Sequence, residues 1–124
     1  MLIIRRAQIP VLAQALLGHF EEELAEHIRG DWPADAAALG PDGLKATVHA
    51  GVARALGHGF ETEQDLSRYV YLMFTFGAGF DRDPELPWAA QALASSGGAA
   101  ARMQRLYDSA QDHEHLGRGI TASS

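Results

Sequence analysis

The sequence predicts an all-α protein: a compact bundle of about five helices around a central apolar helix at about 62–77. Three features favour this fold class. Apolar residues recur at spacings of three and four, which is the period of an amphipathic helix. Clusters of glycine, proline and serine divide the chain into segments of helical length. The single segment that would also suit a β-strand has no partner strand elsewhere in the sequence.

The first helix is predicted from Ala7 to Arg29, and the segment Gly30–Pro33 ends it because proline cannot continue a helix. Its apolar stripe comprises Ile9, Leu12, Leu16, Leu17, Phe20, Leu24 and Ile28. A run of acidic residues in its middle is typical of a solvated helix face. These residues are Glu21, Glu22, Glu23 and Glu26. A loose, alanine-rich connection is expected from there to Leu39.

The second helix is predicted to start at the turn Pro41–Gly43 and to stop at Gly57 or Gly59. One side of it is apolar and comprises Leu44, Val48, Val52, Ala55 and Leu56. Gly51 lies inside this helix, where glycine costs up to about 1 kcal/mol relative to alanine. We therefore expect a close helix crossing at Gly51.

Thr62 and Asp65 form a variant of the capping box and open the third helix. The segment Leu66–Phe76 is apolar on nearly every side after Arg68, as expected of a helix surrounded by others. Its β-branched and aromatic residues would also suit a strand, but the cap at its start favours a helix. The segment Gly77–Gly79 closes it.

A rigid acidic loop is expected from Phe80 to Trp88, with Pro87 in the first turn of a short helix through Ala94. The last helix is predicted from about Ala99 to His115. Its core residues are Met103, Leu106, Tyr107 and Ala110. The sequence thus predicts a single helical domain over 1–116 and a frayed tail over 117–124.

The composition excludes several classes of site. The 124 residues carry a formal net charge of −6 and no cysteine, which excludes disulfides, thiolate metal sites and cysteine nucleophiles. The acidic balance argues against binding nucleic acid, because phosphate contacts need a basic face. The chain has no run of about 18 apolar residues, and apolar residues precede Arg5 and Arg6, so neither a membrane span nor a secretory signal is expected. We expect a cytoplasmic protein.

The histidines do not form a metal motif. His113 and His115 point about 200° apart on a regular helix, and His19 and His27 lack the i, i+4 spacing of a chelating pair. No serine lies in a strained elbow, and no glycine-rich phosphate loop follows a strand. We therefore expect no enzyme activity, no cofactor and no metal site. One alternative remains, a metal-dependent hydrolase with a site assembled from separate helices, using His19, His27, His49 or His58.

The loop after the third helix contains the predicted partner-binding residues. Its alternating acids superficially suggest calcium, but two prolines replace the glycine turn of an EF-hand. Its carboxylates are better suited to cap backbone N–H groups, while Trp88 can anchor the loop on the core. The rim of this loop is the predicted contact surface, formed by Phe80, Asp81, Asp83 and Trp88.

Short patterns that carry a resemblance run along nearly the whole chain, and the most specific is Phe80–Asp81 followed by Pro87–Trp88. The patterns are Met1–Arg5 with Gln8; Phe20 with His27; Gly51–Ala55; His58–Phe60 with Glu63–Asp65; Tyr69–Phe74; Gly79–Asp81 through Pro87–Trp88; and Arg102–Tyr107. Their order resembles a family of small all-helical proteins encoded beside type VI secretion components and their effectors in proteobacteria and myxobacteria. The chain departs from that family around Asp35–Leu39 and in the tail from Glu114.

The resemblance implies a non-enzymatic accessory protein, an adaptor or chaperone linked to type VI secretion. Its partner would be a secretion-linked effector or structural protein. An immunity protein that neutralises a neighbouring toxin is the first alternative, and the hydrolase described above is the second. A homodimer formed through an exposed apolar strip also stays open.

Overall fold

The computed structural model describes the backbone of residues 11–123 and the side chains of residues 15–112. Over that range the fold is all-α, with five α-helices and one short 3-10 helix, so the predicted fold class is confirmed. The elements are α1 (Val11–Asp31), α2 (Pro33–Gly57), α3 (Glu63–Phe76), the 3-10 helix (Phe80–Arg82), α4 (Pro87–Ala94) and α5 (Ala99–Ser123). The predicted helix start at Ala7, with Ile9 and the side chain of Leu12, lies outside the described residues.

The chain divides into two compact units, Met1–Phe76 and Gly77–Ser124. In the first unit α2 packs against both α1 and α3, and α1 also contacts α3. In the second unit α4 packs against α5 and against the 3-10 helix. The single domain over 1–116 stays a prediction.

The predicted apolar stripe of α1 is buried in the later turns of the helix. Phe20, Leu24 and Ile28 are buried, whereas Leu16 is 45% exposed. Of the four acidic residues in the middle of the helix, three are exposed as expected, and only Glu21 is half-buried. The helix therefore turns a solvated acidic side away from its core contacts.

The loose connection predicted after Pro33 and up to Leu39 is wrong, because residues 33–39 form the first two turns of α2. Pro33 occupies the first turn, where its missing N–H is not needed, and the alanines that follow have the highest helix propensity. Gly40, with φ 75° and ψ 167°, then breaks the helix before Pro41, where the second helix was predicted to start. The alanine run that we interpreted as a linker is therefore a helical segment ended by a kink.

The predicted close crossing at Gly51 is confirmed. A Cβ atom built on Gly51 would lie 2.6 Å from Met73 Sδ and 3.1 Å from Val70 Cγ2, both on α3. Its apolar neighbours on α2 are buried as predicted: Leu44, Val48, Val52, Ala55 and Leu56. Glycine at this position thus lets the backbone of α2 approach α3 closely.

The third helix is confirmed as a helix rather than a strand. Thr62 caps it, since its Oγ1 accepts a hydrogen bond from the backbone N–H of Asp65 at 3.2 Å. The ring of Tyr69 is fully buried, with its centroid 6.2 Å from that of Phe60. Gly77, with φ 112°, ends the helix in the conformation that favours glycine.

In the second unit, two arginines of α5 contact the C-terminal end of α4. Arg102 donates to the carbonyl oxygen of Leu93 at 3.4 Å, and Arg105 donates to Ser95 Oγ at 2.8 Å and to the carbonyl oxygen of Ser96. Cations at this position satisfy carbonyls that have no partner within the helix.

The last helix does not end near His115 as predicted, because α5 continues to Ser123. Gly117 and Gly119 lower helix propensity but keep their N–H groups, so they weaken the helix without removing its hydrogen-bond donors. Fraying of residues 117–124 concerns motion and stays a prediction. The side chains of His113 and His115, the candidate ligands near this end, lie outside the described residues.

Candidate functional site

Two of the four predicted partner-binding residues are buried. Phe80 is 1% exposed and Asp81 is 6% exposed, and both belong to the 3-10 helix that begins the loop. Backbone hydrogen bonds form this turn, from Phe80 N to Gly77 O and from Arg82 N to Gly79 O, each 3.1 Å. These two side chains offer little surface to a partner in this conformation.

The other two predicted residues are half-buried. Asp83 Oδ1 accepts a hydrogen bond from the backbone N–H of Glu85 at 2.9 Å, and the carbonyl of Asp83 accepts one from Leu86 N, also at 2.9 Å. The carboxylate therefore caps a turn, as predicted for the acids of this loop. Trp88 is half-buried with its indole Nε1 buried, so only part of the ring is open to contact.

The four histidines named for the hydrolase alternative have separate environments. His19 Nε2 lies 2.6 Å from Glu23 Oε1 on α1, while His49 Nδ1 on α2 lies 2.9 Å from Glu21 Oε1. His27 is exposed. The ring of His58 packs on that of Tyr69 with a centroid distance of 5.6 Å. Within residues 15–112, no group of three or more histidine, aspartate or glutamate side chains is arranged to hold a metal ion.

Three exposed glutamates in the middle of α1 form a face that we call the acidic face, comprising Glu22, Glu23 and Glu26. It borders open grooves between α1 and α2, whose titratable lining residues are four glutamates, one lysine, one arginine and two histidines: Glu21, Glu22, Glu23, Glu26, Lys45, Arg29, His19 and His49. Arg29 donates to Glu26 Oε1 at 2.6 Å. Carboxylates outnumber cations here, so this surface attracts positively charged groups.

A cluster of aromatic side chains lies where α1 meets α2. The ring of Trp32 contacts Tyr71 edge-on at a centroid distance of 5.1 Å and Phe74 at 5.7 Å. The hydroxyl of Tyr71 donates to Asp31 Oδ2 at 3.0 Å. All three rings are half-buried, and Asp31 is exposed. We call Asp31, Trp32, Tyr71 and Phe74 the Trp32 patch.

The sequence did not predict the Trp32 patch, because Trp32 was interpreted only as part of the segment that ends the first helix. One signal was available: Tyr71 and Phe74 are three apart on α3 and therefore share a face. The contact with Trp32 joins segments about forty residues apart, a distance in sequence that periodicity cannot bridge.

The described helices include none that is long and apolar enough to cross a membrane. Comparison with protein-family models, with curated proteins and with solved structures finds no match to this chain. The geometry of the described residues gives two candidate surfaces, the acidic face and the Trp32 patch.

Proposed function

We propose that this protein is a non-enzymatic, cytoplasmic binding protein, an adaptor or chaperone that holds a basic partner protein. The observation that carries the proposal is the acidic face of α1, whose three carboxylate side chains are exposed along one side of a helix packed in the core. Charges arranged in this way steer a complementary partner and fix its orientation. The short sequence patterns that resemble those of proteins encoded beside type VI secretion components suggest a secretion-linked effector or structural protein as the partner.

The acidic face can be tested by substitution, because its residues contribute little to the stability of the fold. Glu22, Glu23 and Glu26 are exposed, and surface ion pairs such as Arg29–Glu26 are worth about 0–1 kcal/mol. Substitutions here can therefore change the surface charge while leaving the core intact.

Affinity capture from the native organism tests the proposal. The wild-type protein should recover one partner in stoichiometric amount, and recovery should fall steeply as salt rises, because screening weakens exposed charge contacts. The triple variant Glu22→Gln, Glu23→Gln, Glu26→Gln should recover at least about tenfold less, equivalent to about 1.4 kcal/mol of binding free energy.

A matched control separates a local effect from a change in total charge. The triple variant Asp42→Asn, Glu85→Gln, Asp108→Asn neutralises three exposed acids elsewhere and changes the formal net charge by the same amount. It should bind like the wild type. An equal loss of partner recovery in the two triple variants would show that total charge, and not the acidic face, determines binding. Unchanged recovery by the α1 triple variant would reject the acidic face as the binding surface.

The same surface would serve an immunity protein, because many inhibitors hold their target by complementary charge. Co-expression with a neighbouring toxic effector decides between the two roles. Growth restored by the wild type but not by the α1 triple variant would assign immunity. Binding without rescue would assign the adaptor or chaperone role. Light scattering on the purified chain tests the homodimer.

A further inference from the structure

The rings of the Trp32 patch stay more open than the aromatic rings of the core. Phe60, Tyr69 and Phe80 are at most 1% exposed, as expected of core aromatics. The rings of Trp32, Tyr71 and Phe74 are each half-buried. Tryptophan and tyrosine are the residues most often found at the energetic centre of protein interfaces.

The patch is also held in place before any ligand arrives. Trp32 N donates to the carbonyl of Ile28 at 2.7 Å, and Trp32 O accepts from Ala36 N at 2.9 Å, so its backbone is fixed between α1 and α2. Both its ring contacts come from α3. A rigid aromatic surface loses little conformational entropy on binding.

The electrostatic surroundings of the patch favour a cation. The exposed carboxylate of Asp31 lies at its edge, hydrogen-bonded to Tyr71. Asp31 is the last residue of α1 and Trp32 is the N-cap of α2, so helix ends of opposite partial charge meet here, and the carboxylate is the group that favours a cation.

We propose that the Trp32 patch receives an arginine side chain from the basic partner. A guanidinium is planar and can stack on an indole or phenol ring while it donates hydrogen bonds to a carboxylate. Lysine provides the charge without the planar stacking surface. This inference rests on the proposed function, because it names the group by which the basic partner is anchored.

Nuclear magnetic resonance of the two indole N–H groups gives a direct test. The chain contains only Trp32 and Trp88, and the Trp88→Phe variant assigns the two signals. Three short capped peptides serve as probes, identical except that they carry two arginines, two lysines or two glutamates. The arginine peptide should shift the Trp32 signal saturably and leave the Trp88 signal in place.

The peptide affinities measured in these titrations distinguish ring stacking from charge attraction. The lysine peptide should bind about fivefold more weakly than the arginine peptide, corresponding to about 1 kcal/mol of stacking. Asp31→Asn should weaken the arginine peptide about tenfold, as expected for loss of a charged hydrogen bond. A Trp32 signal that does not move, that moves equally with the glutamate peptide, or that is indifferent to Asp31→Asn would overturn the proposal.

Capture of the natural partner separates this inference from the proposed function. Asp31→Asn and Trp32→Leu should each reduce recovery at least about fivefold if arginine anchoring holds, with Leu16→Ala, a change at another exposed residue of α1, as the control. Full recovery of the partner by both patch variants would overturn the proposal that the Trp32 patch binds arginine, and it would not contradict the proposed function. If Trp32→Leu melts below the assay temperature, Asp31→Asn decides alone. If no partner is recovered at all, the peptide titration still decides whether the patch binds arginine.

Discussion

The loop at 80–88 and the connection between α1 and α2 at 31–33, here called the joint, differ in the exposure of their aromatic and acidic residues. The loop carries the residues predicted to bind a partner, yet Phe80 and Asp81 are buried. The joint was predicted only to end a helix, yet it presents Trp32 half-open beside the exposed carboxylate of Asp31. The same residue types therefore serve the fold in one place and offer a surface in the other.

This difference shows that an aromatic–acidic motif does not specify exposure by itself. In the loop, the carboxylate of Asp83 accepts a hydrogen bond from the backbone N–H of Glu85. At the joint, the carboxylate of Asp31 is held by a phenol from another helix and stays exposed. Burial decides which role a residue has, and burial depends on packing between elements.

The largest effect on stability is expected from the loop. Phe80→Ala should lower the free energy of unfolding by about 3–5 kcal/mol, because it removes a fully buried ring and leaves a cavity. Urea unfolding followed by circular dichroism measures the loss. Glu85→Ala, an exposed change in the same loop, should stay within about 0.5 kcal/mol of the wild type. A loss below about 1 kcal/mol for Phe80→Ala would remove the contrast between the two regions.

The joint should show a smaller loss of stability. Trp32→Ala removes two ring contacts, each worth about 0.5–1.5 kcal/mol beyond area burial, from a half-exposed residue. We expect the free energy of unfolding to fall by about 1–3 kcal/mol in the same urea experiment. Trp32→Phe keeps an aromatic ring and should recover part of that loss. A loss as large as that of Phe80→Ala would place Trp32 in the core.

Most of the helical framework could be predicted because it depends on local spacing. The buried residues of α2, the cap at Thr62 and the crossing at Gly51 all follow from periodicity or from one unusual residue in a regular pattern. The helical segment at 33–39 was missed because an alanine-rich run has no polar side to mark its period.

The candidate site could be predicted only in part. The acidic run on α1 was visible in the sequence, although its interpretation there was a solvated face. The Trp32 patch and the burial of Phe80 were not visible, since each depends on contacts between distant segments. Sequence patterns report the environment within an element, and a surface built from two or three elements needs coordinates.

A substitution at the Gly51 crossing should have an intermediate effect on the free energy of unfolding. This crossing also positions α3, the helix that carries Tyr71 and Phe74. Alanine at Gly51 gains up to about 1 kcal/mol of helix propensity but must displace Met73 and Val70 of α3, and overpacking costs about 1–3 kcal/mol. We expect a net loss of about 1 kcal/mol, measured by urea unfolding. Gly18→Ala has no atom within 4 Å of the new Cβ and should instead stabilise the protein by about 0.5–1 kcal/mol. A stabilising Gly51→Ala would show that Met73 and Val70 repack at little cost and that the crossing does not require glycine.

The smallest effect is expected at Asp83, the loop residue whose carboxylate caps a turn. Asp83→Ala removes the acceptor of the Glu85 N–H and should lower the free energy of unfolding by about 0.5–1 kcal/mol, since the capped group is exposed to water. Asp83→Asn keeps a side-chain oxygen at the same position and should retain most of the stability. If both variants unfold like the wild type but lose the natural partner in affinity capture, Asp83 acts at an interface. The contrast between a buried loop and an exposed joint would then fail at Asp83, a loop acid whose capping bond is defined.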